Sequence, residues 1–475
     1  MVPSAATVSF QSVAHAQGED LWVACYMKAT YAFRAVDKIG KTLGMCLPLL
    51  RLCAWDNPSP TTFFRFITLS GSAQTPFSSR SEFLSHGGYF CLRMMPEKLD
   101  AIARGDLSGR IVHPSFVHFA HIIGCVYYRD DNGQRVPSDF EASYYQLVMR
   151  YLEDKESFTP VEFLQTCIFL GTYRYLNNQF DTAWDCGTKA YDMIINADMH
   201  ITLPSTDCTG SHSPQNVARG RYGHIQALDE AEEQRSLLCY AMHGDFCAIL
   251  IWDRPVVLPP HLDDELRSLL SHTPFDYTQT VITRTMSTWL LHEARFSVSQ
   301  GIPSASGNGS KSWLMELKAY DNTGISYEMY SGLIERIERH VTESKLAATK
   351  FDLVYKDQSG SVSRKLDAVM GLTALTEIHL ALYSALNHEE SRRQTVKTAI
   401  EIISISDGLP KDKYDLLDHM VLLSWRTARE VLEQEQARLL GANADDTSVY
   451  PGTIPSLLMT LRGCVRCLRA VAPFG

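Results

Sequence analysis

Residues 229–260 read DEAEEQRSLLCYAMHGDFCAILIWDRPVVLPP, and this stretch decides the fold class. It opens with four carboxylates in five residues, Asp229, Glu230, Glu232 and Glu233. Acidic side chains favour a helix N-terminus, where they face the positive end of the backbone dipole. From Ser236 to Arg254 the only charges are Asp245, Asp253 and Arg254, with His243 titratable. Leu238, Ala241, Asp245, Ala248 and Trp252 recur at helical spacing; Leu237, Tyr240, Gly244, Cys247 and Ile251 form the adjacent stripe. A helix apolar over so much of its circumference belongs inside a large core, and Pro255 ends it. The expectation is an all-α protein, a large multi-helix domain built around a buried central helix over residues 229–254. Asp245, set on an apolar stripe, should be buried and hydrogen-bonded, because a buried carboxylate needs donors.

Outward from this helix the same periodicity repeats. Upstream, helical patterns cover residues 20–43, 82–93, 96–104, 114–128, 139–152, 160–176 and 181–196. Pro114 suits a first helical position. The serine-rich residues 70–81 and residues 201–223, with Pro204, Gly210, Pro214, Gly220 and Gly223, read as breaks. Downstream, helices are expected over 262–270, 279–298, 327–346, 365–386, 391–405, 411–439 and 454–470. Residues 299–311, SQGIPSASGNGSK, have the composition of a flexible linker. The division this predicts is an N-terminal helical segment (1–110), a core (111–298), the linker, and a C-terminal helical part (312–475) packing on the core.

The 475 residues carry a net charge of −10, which disfavours a nucleic-acid surface over the chain as a whole. No apolar run reads as long as a membrane span, and residues 1–17 lack the basic start and apolar run of a signal peptide. An intracellular location follows as the expectation. The 12 cysteines are scattered, several inside apolar helical runs, the pattern of reduced buried thiols rather than a disulfide framework.

Two segments carry a family resemblance. In residues 229–260, Arg235, Asp245, Arg254 and Pro255 fall where the fungal-specific transcription factor domain, or middle homology region, has E-x-R-R-x-x-W-W, then D-R, then G-R-P with its Arg nine positions after the Asp. Leu238 and Cys239 replace the Trp pair, Phe246 the Arg of D-R, and Asp253 the Gly. Residues 164–200, LQTCIFLGTYRYLNNQFDTAWDCGTKAYDMIINADMH, resemble the family's helix pair that carries L-Q, a Tyr, A-W, a small residue and a closing G-L-H. Gln165, Tyr173, Ala183, Trp184, Gly187 and His200 match in order. The resemblance covers residues 114–260 and implies a nuclear regulator of RNA polymerase II transcription, working through a partner protein, a second copy of the chain or a small-molecule effector.

That family carries an N-terminal binuclear zinc cluster of six close cysteines. Cys25, Cys46 and Cys53 are too sparse for one. No cofactor and no direct, specific DNA binding are therefore expected of these residues. The alternatives are a helical enzyme of specialised metabolism on the same scaffold, or a partner-binding dimerisation module.

Other candidates for chemistry each have a plainer reading. Cys464 and Cys467 have the C-x2-C spacing of a zinc half-site but no second pair; two ordinary cysteines are expected. His118 and His121 sit at i, i+3 with His113 nearby, a spacing metals use, and packed or surface histidines are expected instead. Asp263-Asp264-Glu265 raises a terpene-synthase reading, but Arg267 stands where the third carboxylate belongs; an acidic helix start is expected. The 229–233 cluster reads as a solvated helix start, Trp184 and Trp252 as core aromatics, and Arg392-Arg393 and residues 462–469 as solvated basic faces. No nucleophile-elbow, P-loop or dinucleotide fingerprint is found.

Overall fold

The computed structural model of the chain describes residues 76–86, 93–127, 140–177, 179–201, 227, 229–252, 254–271, 280–301, 327–355, 358–417, 420–441 and 453–471. They lie within one compact unit that begins at Pro76. Among the described residues the regular structure is fourteen α-helices, two 3-10 turns and one π turn, without a strand, the helical class that the periodicity predicts. These are α1 (Pro76–His86), α2 (Pro96–Arg104), α3 (Pro114–Tyr127), α4 (Glu141–Glu153), α5 (Pro160–Leu176), α6 (Phe180–Asn196), α7 (Glu230–Trp252), α8 (Pro260–Ser271), α9 (Thr280–Gly301), α10 (Tyr327–Lys350), α11 (Gln358–Leu386), α12 (Glu389–Asp407), α13 (Met420–Gly441) and α14 (Thr453–Val471).

Local chemistry sets the helix ends. At α5, Thr159 and Glu162 form a capping box around Pro160: the Glu162 amide donates to the Thr159 hydroxyl at 3.3 Å, and the Thr159 amide to the Glu162 carboxylate at 3.1 Å. α2 starts at Pro96 and ends on Gly105, whose φ of 72° is the left-handed position that favours glycine. At α12 the His388 imidazole accepts the Ser391 amide.

Two helix sets share the core. In the first, α1 packs on α3, α3 on α4 and α5, and α5 on α6. In the second, α9, α10, α12 and α13 all pack on α11, and α14 lies against α12 and α13. α7 rests on α5 and α6 on one side and on α9 on the other. Most described side chains of α7 are buried, but the helix enclosed by the most neighbours is α11 and not α7, the one expected at the centre. By length and composition α11 could cross a membrane; here four helices cover it, and its Arg364, Asp367 and Glu377 form ion pairs inside the protein.

Several boundaries differ from expectation. The first described helix runs over Pro76–His86, not 82–93. Pro76 starts it, and the serine-rich stretch is helical because Ser79 turns inward to bond His121. The single helix expected over 411–439 is a 3-10 turn, Lys411–Leu416, followed by α13. Three residues per turn brings Tyr414 and Leu417 to the same buried side. α9 continues through Gly301, so the start of the expected linker is helical; residues 302–311 and the helix expected over 20–43 lie outside the described residues.

Candidate functional site

Asp245 sits mid-helix in α7 and is 1% exposed. Its carboxylate accepts the backbone amides of Val257 at 3.3 Å and Leu258 at 3.0 Å, from the segment that turns back after Pro255. A buried carboxylate thus satisfies the amides of a chain reversal that has no helix or strand of its own. Burial pushes its pKa up to about 6, against the pull of the two amides. Tyr191, from α6, is buried beside it and donates to the Ala241 carbonyl.

The acidic start of α7 divides. Asp229 and Glu230 are exposed, and Asp229 accepts the Glu232 amide at 2.7 Å as a cap. Glu232 and Glu233 are buried, contrary to a solvated helix start. Arg93 pairs with Glu232; Glu233 accepts Gln165 at 2.7 Å and Lys98 at 2.9 Å. The acids are clasped because the segment before α2 crosses this end of α7, where the Ala227 amide bonds the Met94 carbonyl at 2.8 Å.

The remaining motif residues spread around this core. Arg235 is buried one turn from Cys239, whose thiol burial pushes up to about 12. Arg254 is exposed and pairs with Asp181 at the start of α6, and Pro255 is exposed. Trp184 is half-buried on α6. A Cβ on Gly187 would meet only the Tyr191 ring, at 3.9 Å, so space does not demand glycine there. Tyr173 donates to Glu141 at 2.9 Å. His200 is half-exposed and bridges Glu265 at 2.6 Å and Asp198 at 3.2 Å; the Glu265 hydrogen bond leads in raising its pKa. Asp198 has φ 49°. That left-handed backbone favours glycine, and this is the place of the glycine in G-L-H.

His118 and His121 of α3, and His113 just before it, turn inward among aromatic rings of α4 and of the turn that follows it. His121 stacks on Tyr144 with centroids 4.4 Å apart, His118 stacks between Tyr144 and Tyr151 at 5.6 and 5.9 Å, and His113 stacks on Phe158 at 3.7 Å. Both ring nitrogens of His121 are engaged, by Ser79 at 2.8 Å and Arg80 at 3.2 Å; those of His113 meet Ser115 and Ser157. Burial lowers all three pKa values, His118 to about 4, so the column is neutral near pH 7. Among the described residues no three metal-type ligands come together.

The other candidates resolve into local structure. Asp263 pairs with Arg267 at 2.9 Å, Glu265 holds His200 and the Ile201 amide, and Asp264 is exposed. Asp263 and Glu265 are therefore taken up by different partners, and Asp264 faces solvent. Cys247 lies one turn from His243, its sulfur 3.7 and 3.6 Å from the two ring nitrogens. In the ring plane such equal distances would drive the sulfur into the carbon between the nitrogens. The sulfur therefore sits over the ring face, where no imidazole lone pair can take its proton, and this pair lacks the geometry of an activated nucleophile.

One seam is not anticipated from the sequence. Between α9 and α11, Arg284 pairs with Asp367 and donates to the Ser363 carbonyl and hydroxyl at 3.1 Å. Arg364 reaches Asp367 at 3.0 Å. Arg295 holds Glu377 with two contacts of 2.8 Å and also donates to the Leu250 carbonyl of α7 at 3.0 Å. His340 meets the Ser287 hydroxyl at 2.7 Å, its pKa pushed down to about 4 by burial. The available signal was Asp367 and Glu377 inside an apolar helical pattern, the same signal that singled out Asp245.

Comparison of the chain with protein-family models, with curated proteins and with solved structures finds no match in any of the three.

Proposed function

We propose that the chain is a regulatory protein of the fungal transcription-factor type, acting in the nucleus on RNA polymerase II transcription. The observation that carries this reading is the meeting of its two motif segments. Gln165 of the first bonds Glu233 of the second, Tyr191 bonds Ala241, and Asp181 pairs with Arg254. Asp198 supports it: a position where the family pattern has glycine carries a glycine-type backbone here. Sequence-specific DNA contact is assigned in this reading to a zinc cluster carried by a partner or lying outside these 475 residues.

Tethering tests the proposal. The chain is fused to a heterologous DNA-binding module and expressed in a fungal host with a reporter bearing that module's sites. A several-fold rise or fall against the module alone is the expected result. Reporter output equal to the module alone, with the fusion present in the nucleus at equal abundance, overturns it. A gel-shift titration of the unfused chain is expected to give no sequence-dependent shift.

A further inference from the structure

We propose that Cys464 and Cys467 form a modification site, a dithiol that a hydroperoxide converts to a disulfide within one turn of α14. The two share a helix face, three residues apart, with Cβ atoms roughly 5–6 Å from each other. Their environments differ in the way the reaction needs. Cys467 is half-buried and is the single cysteine of the seven described that is not fully buried. Cys464 is 5% exposed. Burial raises the Cys464 pKa, and the neighbouring Tyr414, from the 3-10 turn Lys411–Leu416, offsets part of that rise.

The steps balance. The Cys467 thiolate attacks one peroxide oxygen, the O–O bond breaks, and the alkoxide or hydroxide that leaves takes a proton. Cys467 is now a sulfenic acid. The Cys464 thiolate attacks that sulfur and expels hydroxide, which becomes water. Two thiols are oxidised and one hydroperoxide is reduced.

Geometry makes the product a reversible mark rather than a staple. A disulfide needs Cβ atoms about 3.5–4.5 Å apart, so closure draws the two residues together by roughly 1–2 Å. α14 ends at Val471, four residues past Cys467, and this last turn is where the helix can yield. A disulfide closed against helix geometry is strained and readily reduced.

The test treats the full chain with hydrogen peroxide, alkylates the remaining thiols and maps them by peptide mass spectrometry. The expected product is a peptide carrying both cysteines, unalkylated and two hydrogens lighter, restored by reduced glutathione. Cys464→Ser should leave a dimedone-reactive sulfenic acid on Cys467, and Cys467→Ser should leave Cys464 unreacted. Cys464→Ala, which adds no hydroxyl to the buried position, gives the same readout if Ser disturbs packing. Full alkylation of both thiols at a peroxide dose that consumes free glutathione overturns the proposal. A sulfenic acid that persists on Cys467 in the unsubstituted chain, or a chain-to-chain cross-link on a non-reducing gel, overturns it as well.

Discussion

The carboxylate of Asp245 and the backbone amide of Leu258 lie 3.0 Å apart, joining the middle of α7 to the chain that leaves it thirteen residues later. The contact fixes where the chain goes after Pro255 and so where α8 begins. Asp245→Ala should cost about 1–3 kcal/mol, because it strands the buried Leu258 amide and the part-buried Val257 amide. Asp245→Asn keeps an acceptor for those amides and removes the cost of a buried charge. Thermal unfolding at pH 8 is expected to place Asn near or above the parent and Ala below it. Equal losses for both would show that the negative charge itself is required.

Arg254 gives the opposite expectation, although it belongs to the same motif. Its pair with Asp181 is exposed on both sides. Exposed pairs contribute about 0–1 kcal/mol. Arg254→Ala should leave unfolding within that range, so any loss of reporter regulation by this variant would point to contact with a partner and not to folding.

α1 and α3 meet at Gly124. A Cβ there would stand 1.8 Å from the Ser79 carbonyl oxygen, a backbone atom that cannot rotate aside. Gly124→Ala should destabilise by about 1–3 kcal/mol or more. It should also loosen the Ser79–His121 bond, seen as faster amide exchange in α1.

Arg295 and Glu377 form a pair whose acid is wholly buried. Glu377→Ala should cost on the order of 3–5 kcal/mol, since it leaves the guanidinium half-buried without its carboxylate. Replacing both residues by Met should restore most of that loss, read by denaturant unfolding. A double variant as unstable as the single one would mean that the Arg295 bond to the Leu250 carbonyl, and not the ion pair, holds α9 to α7.

Helical class and most helix positions were legible because apolar side chains recur at three and four along the chain. Asp245 was legible because one carboxylate on an apolar stripe has a single physical remedy, a buried donor. Its donors were not, since Val257 and Leu258 contribute backbone amides that any residue but proline would offer. Asp367 and Glu377 followed the same logic in a segment read for periodicity alone. The helix at Pro76–His86 was hidden because three serines read as a break, while Ser79 is spent on His121, far away in sequence. Burial of Glu232 and Glu233 depends on Arg93 and Lys98 arriving from over a hundred residues upstream, which local pattern cannot show.

The last prediction sets His118 against Asp245 in the same pH range. Burial lowers the His118 pKa from 6.5 to about 4. Its unfolded form binds a proton first, so its contribution to stability is full above pH 6.5 and is lost as pH falls toward 4, on the order of 3 kcal/mol. Facing it are His113, just before its helix, which lowers its pKa further, and Tyr144 and Tyr151 of α4, both neutral there. Asp245 runs the other way. Its folded pKa is raised from 3.8 to about 6, so its contribution is full below 3.8 and is lost as pH rises through 6. The two effects oppose each other between pH 4 and 6. Asp245→Asn should therefore steepen the acid-side loss of stability, and His118→Phe, which keeps the stack between the tyrosines, should flatten it. Denaturant midpoints measured from pH 4 to 7 check both, and an unchanged slope in His118→Phe would assign the acid sensitivity to His113, His121 or His340 instead.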